Sequence, residues 1–352
     1  MVSISLCMIV KNEEMVLERC LESIHDLVDE IIIVDTGSTD DTKSIAAKYT
    51  RLIYDFSWVD DFSKARNFAF SKATGDYIYS CDADEVLDDV NRNRFLQLKE
   101  VLMPEVEIVQ MKYVENGLQS VLNSNWEYRP KLYKRLRTFK WIDPIHETVR
   151  TEPVVFDSDI EILHMPESLH QKRDFHIFAS AYKTDGRLSK KLYSMYAKEL
   201  LKCGSTEDVR IGSEIFAEVL EKEELDADLF RQLCCIVARN ARLQGSDADF
   251  LKYAMKVNAV APCSEICCEL GEYFFAKKDY EEASLWIYNA IDGTESILDV
   301  HSGGNLPMLR IADAYSHMAD ALDPEEAPTG RIEELQRLAT EYRNKAKEWT
   351  MP

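Results

Sequence analysis

The chain has 352 residues, with 42 Lys+Arg against 63 Asp+Glu and a formal net charge of −21; at roughly 100–200 residues per domain, that length predicts two domains, each able to bury a core. The surplus of acids excludes a generic nucleic-acid binder, since phosphate backbones are held by surplus Lys and Arg, and 46% hydrophobic residues exclude a disordered chain. Glycine is scarce, 12 residues in all, which counts against a glycine-rich loop that cradles phosphate.

Residues 1–10 are apolar, without a basic region before them or a small-residue cleavage site after them. They meet Lys11-Asn12-Glu13-Glu14 at once, which predicts a buried strand over residues 3–10 and not a signal peptide. A helix follows over about residues 13–25, with Val16, Leu17, Cys20, Leu21 and Ile24 on one face. Glu30-Ile31-Ile32-Ile33-Val34-Asp35 is a continuous apolar run of the kind found inside parallel sheets. Thr36-Gly37-Ser38-Thr39-Asp40 turns the chain, and Ser38 or Asp40 is placed to cap a helix through Tyr49. Residues 52–54 read as a third strand, 62–73 as a helix, and Thr74-Gly75-Asp76 as a turn into a strand over 77–81. This βαβα order predicts an α/β fold with a doubly wound, mostly parallel sheet, completed by residues 108–114 and 160–164, with ligands at the carboxyl ends of its strands.

The pattern becomes helical near residues 170–180, which divides the chain into domains 1–175 and 176–352. Leu270-Gly271, Tyr273-Phe274, Asp279-Tyr280-Glu281-Glu282-Ala283, Tyr288 and Ala290 resemble one tetratricopeptide repeat, with Gly271, Ala283 and Ala290 where two helices would touch most closely. Weaker echoes at Tyr196-Ala197 and at Ala254 with Pro262 are irregularly spaced, so a degenerate all-α tetratricopeptide-like array is expected, with an ordinary bundle as the alternative. The nine cysteines are an odd number, and several fall at helical core positions, including Cys234, Cys235, Cys267 and Cys268. They read as free thiols of a reducing cytoplasm; Cys263 and Cys267 have no CxxC pair or nearby His to suggest zinc. No run of about 18 apolar residues predicts a membrane span.

The informative feature is Asp82-Ala83-Asp84-Glu85, directly after the strand over 77–81. Two carboxylates at i and i+2 in a strand-end loop converge on a hard cation such as Mg²⁺ or Mn²⁺. The spacing alone decides nothing, because Asp157/Asp159, Asp226/Asp228 and Asp247/Asp249 share it. Only the first pair follows a buried strand of the doubly wound sheet, and position selects it.

The same pair sits in an ordered series. Ile9-Val10-Lys11-Asn12-Glu13-Glu14 ends the first strand and Val34-Asp35-Thr36-Gly37-Ser38-Thr39-Asp40-Asp41-Thr42 the second. Trp58-Val59-Asp60-Asp61-Phe62-Ser63-Lys64-Ala65-Arg66-Asn67 and Ala73-Thr74-Gly75-Asp76-Tyr77-Ile78 then lead into Asp82. The series, over about residues 3–165, closely resembles family 2 glycosyltransferases of the GT-A fold. The resemblance implies a nucleotide-sugar-binding α/β domain, usually inverting and dependent on Mn²⁺ or Mg²⁺. It implies that Asp35 binds the nucleotide base, that Asn12 lies in the first nucleotide-contacting loop and that Arg66 reaches the donor nucleotide. Asp82 would face the ribose and the metal, and Asp84 would bind the metal. Trp141-Ile142-Asp143-Pro144-Ile145-His146-Glu147 and Ile162-Leu163-His164 resemble later motifs of a subset of the family. His164 is thereby a candidate metal ligand, and Asp143, His146 and Glu147 are candidates for the base an inverting enzyme needs, Glu147 foremost.

Arg129, Lys131, Lys134, Arg135, Arg137 and Lys140 form the one strongly basic stretch, read either as an anion-holding surface or as a solvated strand with its charges on one face. A transferase domain with a repeat-like helical tail resembles a bacterial subgroup that glycosylates Cys or Ser of peptides, with relatives that modify cell-surface glycans. The implied partners are a nucleotide-sugar donor, a UDP-sugar foremost, and a peptide, protein or glycan acceptor, with a homodimer through the helical domain as a further possibility. Two other readings stand beside this one. A nucleotidyltransferase would need the glycine-rich first loop that Val10-Lys11-Asn12-Glu13 lacks, and a catalytically dead scaffold would have no use for Asp35, Arg66, Asp82 and Asp84.

Overall fold

The computed structural model describes residues 1–115, 126–149, 153–165, 171–323 and 328–351. It divides into two compact units, Met1–Ala181 and Tyr182–Pro352, six residues beyond the boundary expected at 175.

The first unit runs β1 (Ile4–Val10), α1 (Leu17–Ile24), β2 (Glu30–Asp35), α2 (Thr42–Ala46), β3 (Ile53–Asp55), α3 (Phe62–Phe70), β4 (Tyr77–Ser80), β5 (Glu85–Val86), α4 (Asp89–Val101), β6 (Ile108–Glu115), β7 (Trp126–Lys134), β8 (Trp141–Ile142), β9 (Thr148–Val149) and β10 (Val155–His164), with α5 (Gln171–Asp185) next. Eight strands form one sheet in the order β3-β2-β1-β4-β7-β6-β10-β5, and β8 and β9 form a separate hairpin. β1 to β4 are mutually parallel, β7 is antiparallel to both neighbours, and β10 runs parallel to β6. Alternation along β1 explains the two packed faces. Leu6 and Met8 join Leu17 and Leu21 of α1 and Phe95 of α4 in the larger core, and Cys7 joins Ala69 of α3 on the opposite side.

Several expected elements are shorter than their patterns. The helix expected through Tyr49 ends at Ala46, and the one expected to start near Glu13 starts at Leu17. Asp40 does act at the start of α2, accepting from the N–H and the hydroxyl of Thr42. The larger difference is β7, which fills the centre of the sheet although Pro130 and four basic or acidic side chains interrupt its apolar pattern. Pro130 is tolerated because β4 pairs only with Leu132, Tyr133 and Lys134, and because the β6 ladder shifts register beside it.

The second unit consists of α6 (Lys190–Cys203), α7 (Thr206–Lys222), α8 (Ala227–Leu243), α9 (Asp247–Val260), α10 (Ser264–Ala276), α11 (Tyr280–Tyr288), α12 (Asn305–Asp320) and α13 (Arg331–Glu348). Side-chain caps start several of them: Ser189, Ser205, Asp226 and Asp279 each accept a backbone N–H three residues on. The helices α6, α8, α10 and α12 begin 37, 37 and 41 residues apart, longer than a tetratricopeptide period of about 34. Consecutive helices pack as hairpins, and α8 packs against both α6 and α10. Gly271 is where α10 meets α11, for a Cβ there would lie 2.4 Å from Ile287 Cγ1, while Ala283 and Ala290 are fully buried. The cysteines expected in helical cores are free thiols, and Cys235 and Cys263 lie with their sulfurs 3.6 Å apart. Among the described residues, no helix is long and apolar enough to cross a membrane.

Candidate active site

The strand order reverses at β1 and β4, the place where an open α/β sheet offers a crevice beyond its carboxyl ends. Asp82 and Asp84 follow β4 directly. The short strand β5 pairs with the end of β10, Glu85 opposite His164, and the N–H of Met165 donates to the carbonyl of Asp84. That pairing carries His164 to Asp84, with Nε2 2.9 Å from Oδ2 and both side chains about a quarter exposed. Two of the three expected metal ligands are therefore neighbours.

Asp82 turns elsewhere. Its Oδ1 accepts from Arg66 Nη2 at 2.9 Å, and Arg66 also donates to Ser80 Oγ at 3.0 Å and, through Nε, to Glu147 Oε1. Burial opposes ionisation of Asp82, but Arg66, with Lys131 and Arg129 behind it, outweighs burial and holds the carboxyl well below the usual carboxylate range. Arg66 is 13% exposed and lies 5.1 Å from the centre of the Trp141 ring. One guanidinium thus joins the loop after β4 to the candidate base Glu147.

Glu147 ends the loop that β8 and β9 enclose. This loop is fastened to α3: Asn67 donates to the carbonyl of Trp141 and accepts from its N–H, both at 2.9 Å, and the N–H of Phe62 donates to Pro144 O at 2.8 Å. Asp143 (φ 71°) and His146 (φ 47°) hold left-handed backbone, a conformation that costs energy for residues with side chains and recurs at functional sites. The His146 ring packs 5.8 Å from that of Phe178.

Asn12 and Asp35 are brought together at the ends of β1 and β2, where they organise the backbone. Asn12, itself left-handed at φ 56°, accepts from Thr39 N–H through Oδ1 at 2.8 Å, and its own N–H donates to Ser38 Oγ at 2.9 Å. Asp35 is 1% exposed and accepts from Gly37 and Ser38 N–H at 3.0 Å. Gly37 sits at φ 104°, which suits glycine alone.

The sequence pattern gave Glu85 and Tyr113 no role in the site and read Lys131 and Arg129 only as members of the basic stretch. Glu85 is buried and ion-paired with buried Lys131, while its second oxygen has no hydrogen-bond partner among the described residues. Burial, with Asp82 and Asp84 nearby, raises the Glu85 carboxyl against the pull of Lys131. Arg129 lies 3.6 Å over the Tyr113 ring, which in turn packs 5.1 Å from His164. The basic stretch is therefore partly sheet interior and not a uniformly solvated face; the acid at the end of Asp82-Ala83-Asp84-Glu85 was the available signal for its buried lysine.

The Asp84 carboxylate suits a hard divalent ion such as Mn²⁺ or Mg²⁺ and the His164 imidazole a softer one, so of the two the donor pair fits Mn²⁺ better. Among the described residues no three His, Cys, Asp or Glu side chains already converge as a cage, and Asp82 has one oxygen engaged by Arg66.

The sheet and the acids at its switch point are those of the GT-A type fold expected from the sequence. Residues 5–158 match the family described as Glycosyl transferase family 2. The chain is 52% identical over 87 residues to a TPR repeat-containing protein of Synechococcus elongatus, covering 25% of this chain and 22% of that one. It is 30% identical over 164 residues to the glycosyltransferase SunS of Bacillus subtilis, covering 43% and 35%. An uncharacterized glycosyltransferase of Rickettsia bellii is 25% identical over 236 residues, covering 60% of this chain and 72% of that protein. The chain thus spans about a quarter and a third of the lengths of the first two relatives.

Proposed function

We propose that the chain transfers a sugar from a nucleotide-sugar donor, a UDP-sugar foremost, to a peptide, protein or glycan acceptor, with inversion at the anomeric carbon. The observation that carries this reading is the continuous contact from Glu147 through Arg66 to Asp82, beside the Asp84–His164 pair, at the crevice of a family 2 glycosyltransferase unit. A divalent ion held by Asp84 and His164, with Asp82 adjoining, would neutralise the diphosphate leaving group.

The protein's own part is orientation and charge. Asn12 and Asp35 shape the two loops on which the nucleotide would rest, and Arg66 adds a fixed cation for the donor. Glu147 is the base candidate tied directly to that cation; its contact with Arg66 aims the carboxylate, and an acceptor hydroxyl or thiol proton would pass to it as the oxocarbenium-like centre is attacked from the opposite face. SunS is a glycosyltransferase by name, and the helical unit that follows residues 5–158 in the sequence supports a macromolecular acceptor, since stacked helical hairpins offer extended concave surfaces.

The test is a panel of UDP-, GDP- and TDP-sugars with Mn²⁺, read as nucleoside diphosphate released. At least one donor should turn over, and Asp84→Ala should lower that release by a factor of 100 or more. Wild-type protein inert toward every donor, or Asp84→Ala as active as wild type, would sink the reading.

A further inference from the structure

Glu85 is tied to both candidate metal ligands by bonds of its own backbone and side chain. Its N–H donates to the carbonyl of Asp82 at 3.2 Å and closes the turn Asp82-Ala83-Asp84-Glu85. Its backbone pairs with His164 where β5 meets β10, and the N–H of Met165, the next residue, bonds to the carbonyl of Asp84. Its carboxylate takes the ammonium of Lys131, and both side chains are buried. One residue therefore joins the turn that carries Asp84, the strand end that carries His164 and the interior strand β7.

Lys131 sits where β7 departs from regular pairing. Its neighbours Pro130 and Leu132 pair with Gln110 and Val109, consecutive residues of β6, so Lys131 is the extra residue of a bulge. Bulges re-aim a side chain beside functional sites, and this one delivers a cation to Glu85. Lys131 Nζ also lies 5.4 Å from the centre of the Tyr113 ring, against which His164 packs at 5.1 Å. An apolar pair of similar volume would serve the stability of the fold as well as two buried charges do. Stability therefore does not account for the pair, whereas its place behind Asp84 and His164 does.

We propose that Glu85 and Lys131 are positioning residues for the divalent ion: their ion pair locks the turn bearing Asp84 against the strand end bearing His164 and so sets the affinity for Mn²⁺. This role rests on the transferase reading, through the ion that Asp84 and His164 would hold. Its basis is geometry and not charge, since the two side chains carry opposite charges and removing both leaves the net charge of the site unchanged. Ligands already in place cost the metal nothing to order, whereas a loosened turn must be ordered at the expense of binding. Groups that orient metal ligands in this way typically govern affinity by about 10–100-fold.

The experiment is titration of Mn²⁺ into the full chain, alone and with UDP, GDP or TDP, with free Mn²⁺ counted by electron paramagnetic resonance. Asp84→Ala identifies the share bound at this site and not elsewhere on an acidic protein. Lys131→Met with Glu85→Leu should unfold within a few degrees of wild type yet bind Mn²⁺ at this site about tenfold more weakly or worse. Lys131→Gln with Glu85→Gln is equally uncharged but able to hydrogen-bond across the same contact, and should stay within about threefold of wild type. If the apolar pair fails to fold, the glutamine pair decides alone. Wild-type affinity in the folded apolar pair, or a tenfold loss in the glutamine pair, would overturn the positioning role and leave the transferase reading standing. Wild-type protein that takes up no Mn²⁺ at Asp84 under any of these conditions would overturn both.

Discussion

Arg66 shows how a single side chain sets the character of the crevice. Three of its N–H groups are already directed at Glu147, Ser80 and Asp82, and its ring-stacking partner Trp141 belongs to the strand that leads into the Glu147 loop. Removing it leaves Glu147, 10% exposed, as a buried charge without its partner. Arg66→Ala should therefore destabilise the protein by about 3 kcal/mol in urea unfolding. Arg66→Lys should recover little of that loss, since one ammonium cannot serve three acceptors in a fork. At this scale the sequence was informative where a residue's position was tied to a strand end, as for Asp82, Asp84 and Arg66. It did not reveal that Arg66 and Glu147 touch, because 81 positions separate them and only the fastening of the β8–β9 loop by Asn67 brings them together. Asp35 and Asn12 were legible as strand-end residues, but their bonds to loop N–H groups depend on the left-handed turns at Gly37 and Asn12.

At the scale of elements, parallel strands announced themselves as apolar runs and β7 did not. A strand with Arg129, Pro130 and Lys131 in its middle reads as surface until its partners are known; buried Glu85 accounts for Lys131 and the Tyr113 ring for Arg129. Lys131→Met alone should cost about 3–5 kcal/mol, because it strands Glu85, whereas Lys131→Met with Glu85→Leu should remain within about 1 kcal/mol of wild type in the same unfolding measurement. A second ion pair fastens α4 to the start of β1. Lys99 Nζ donates to Asp29 at 2.7 Å, and Asp29 also accepts from Ile4 N–H. Burial works against the Asp29 carboxylate, but the bonds from Lys99 and Ile4 outweigh it and lower its pKa. A carboxyl lowered in the folded state stabilises the fold above its unfolded pKa of about 3.9, and the benefit fades as pH falls through the folded value. Asp29→Asn should accordingly melt below wild type at pH 7, and the gap should close as the pH is lowered past about 4. Among the helices, Gly271→Ala should cost about 1–3 kcal/mol by overpacking against Ile287.

For the molecule as a whole, the net charge of −21 is spread almost evenly, −11 over residues 1–175 and −10 over residues 176–352. Acidity therefore marks neither half and acts chiefly on solubility; the local cation Arg66 distinguishes the crevice of the first unit. The helical array was legible from one good repeat because small residues at Gly271, Ala283 and Ala290 record close helix contact. Close contact recurs at Gly212, where a Cβ would lie 2.3 Å from Leu200 Cδ1 between α6 and α7, but hairpins recurring at 37, 37 and 41 residues hid the regularity. If the crevice of the first unit holds a nucleotide-sugar donor with a divalent ion, as proposed, UDP, GDP or TDP with Mn²⁺ should raise the unfolding temperature of the full chain. At a ligand concentration of about 100 Kd the stabilisation should be about 2.7 kcal/mol. An upward shift of several degrees is expected with at least one nucleoside diphosphate, lost without Mn²⁺ and in Asp84→Ala; an unfolding temperature unmoved by every nucleoside diphosphate in the presence of Mn²⁺ would contradict donor binding at this crevice.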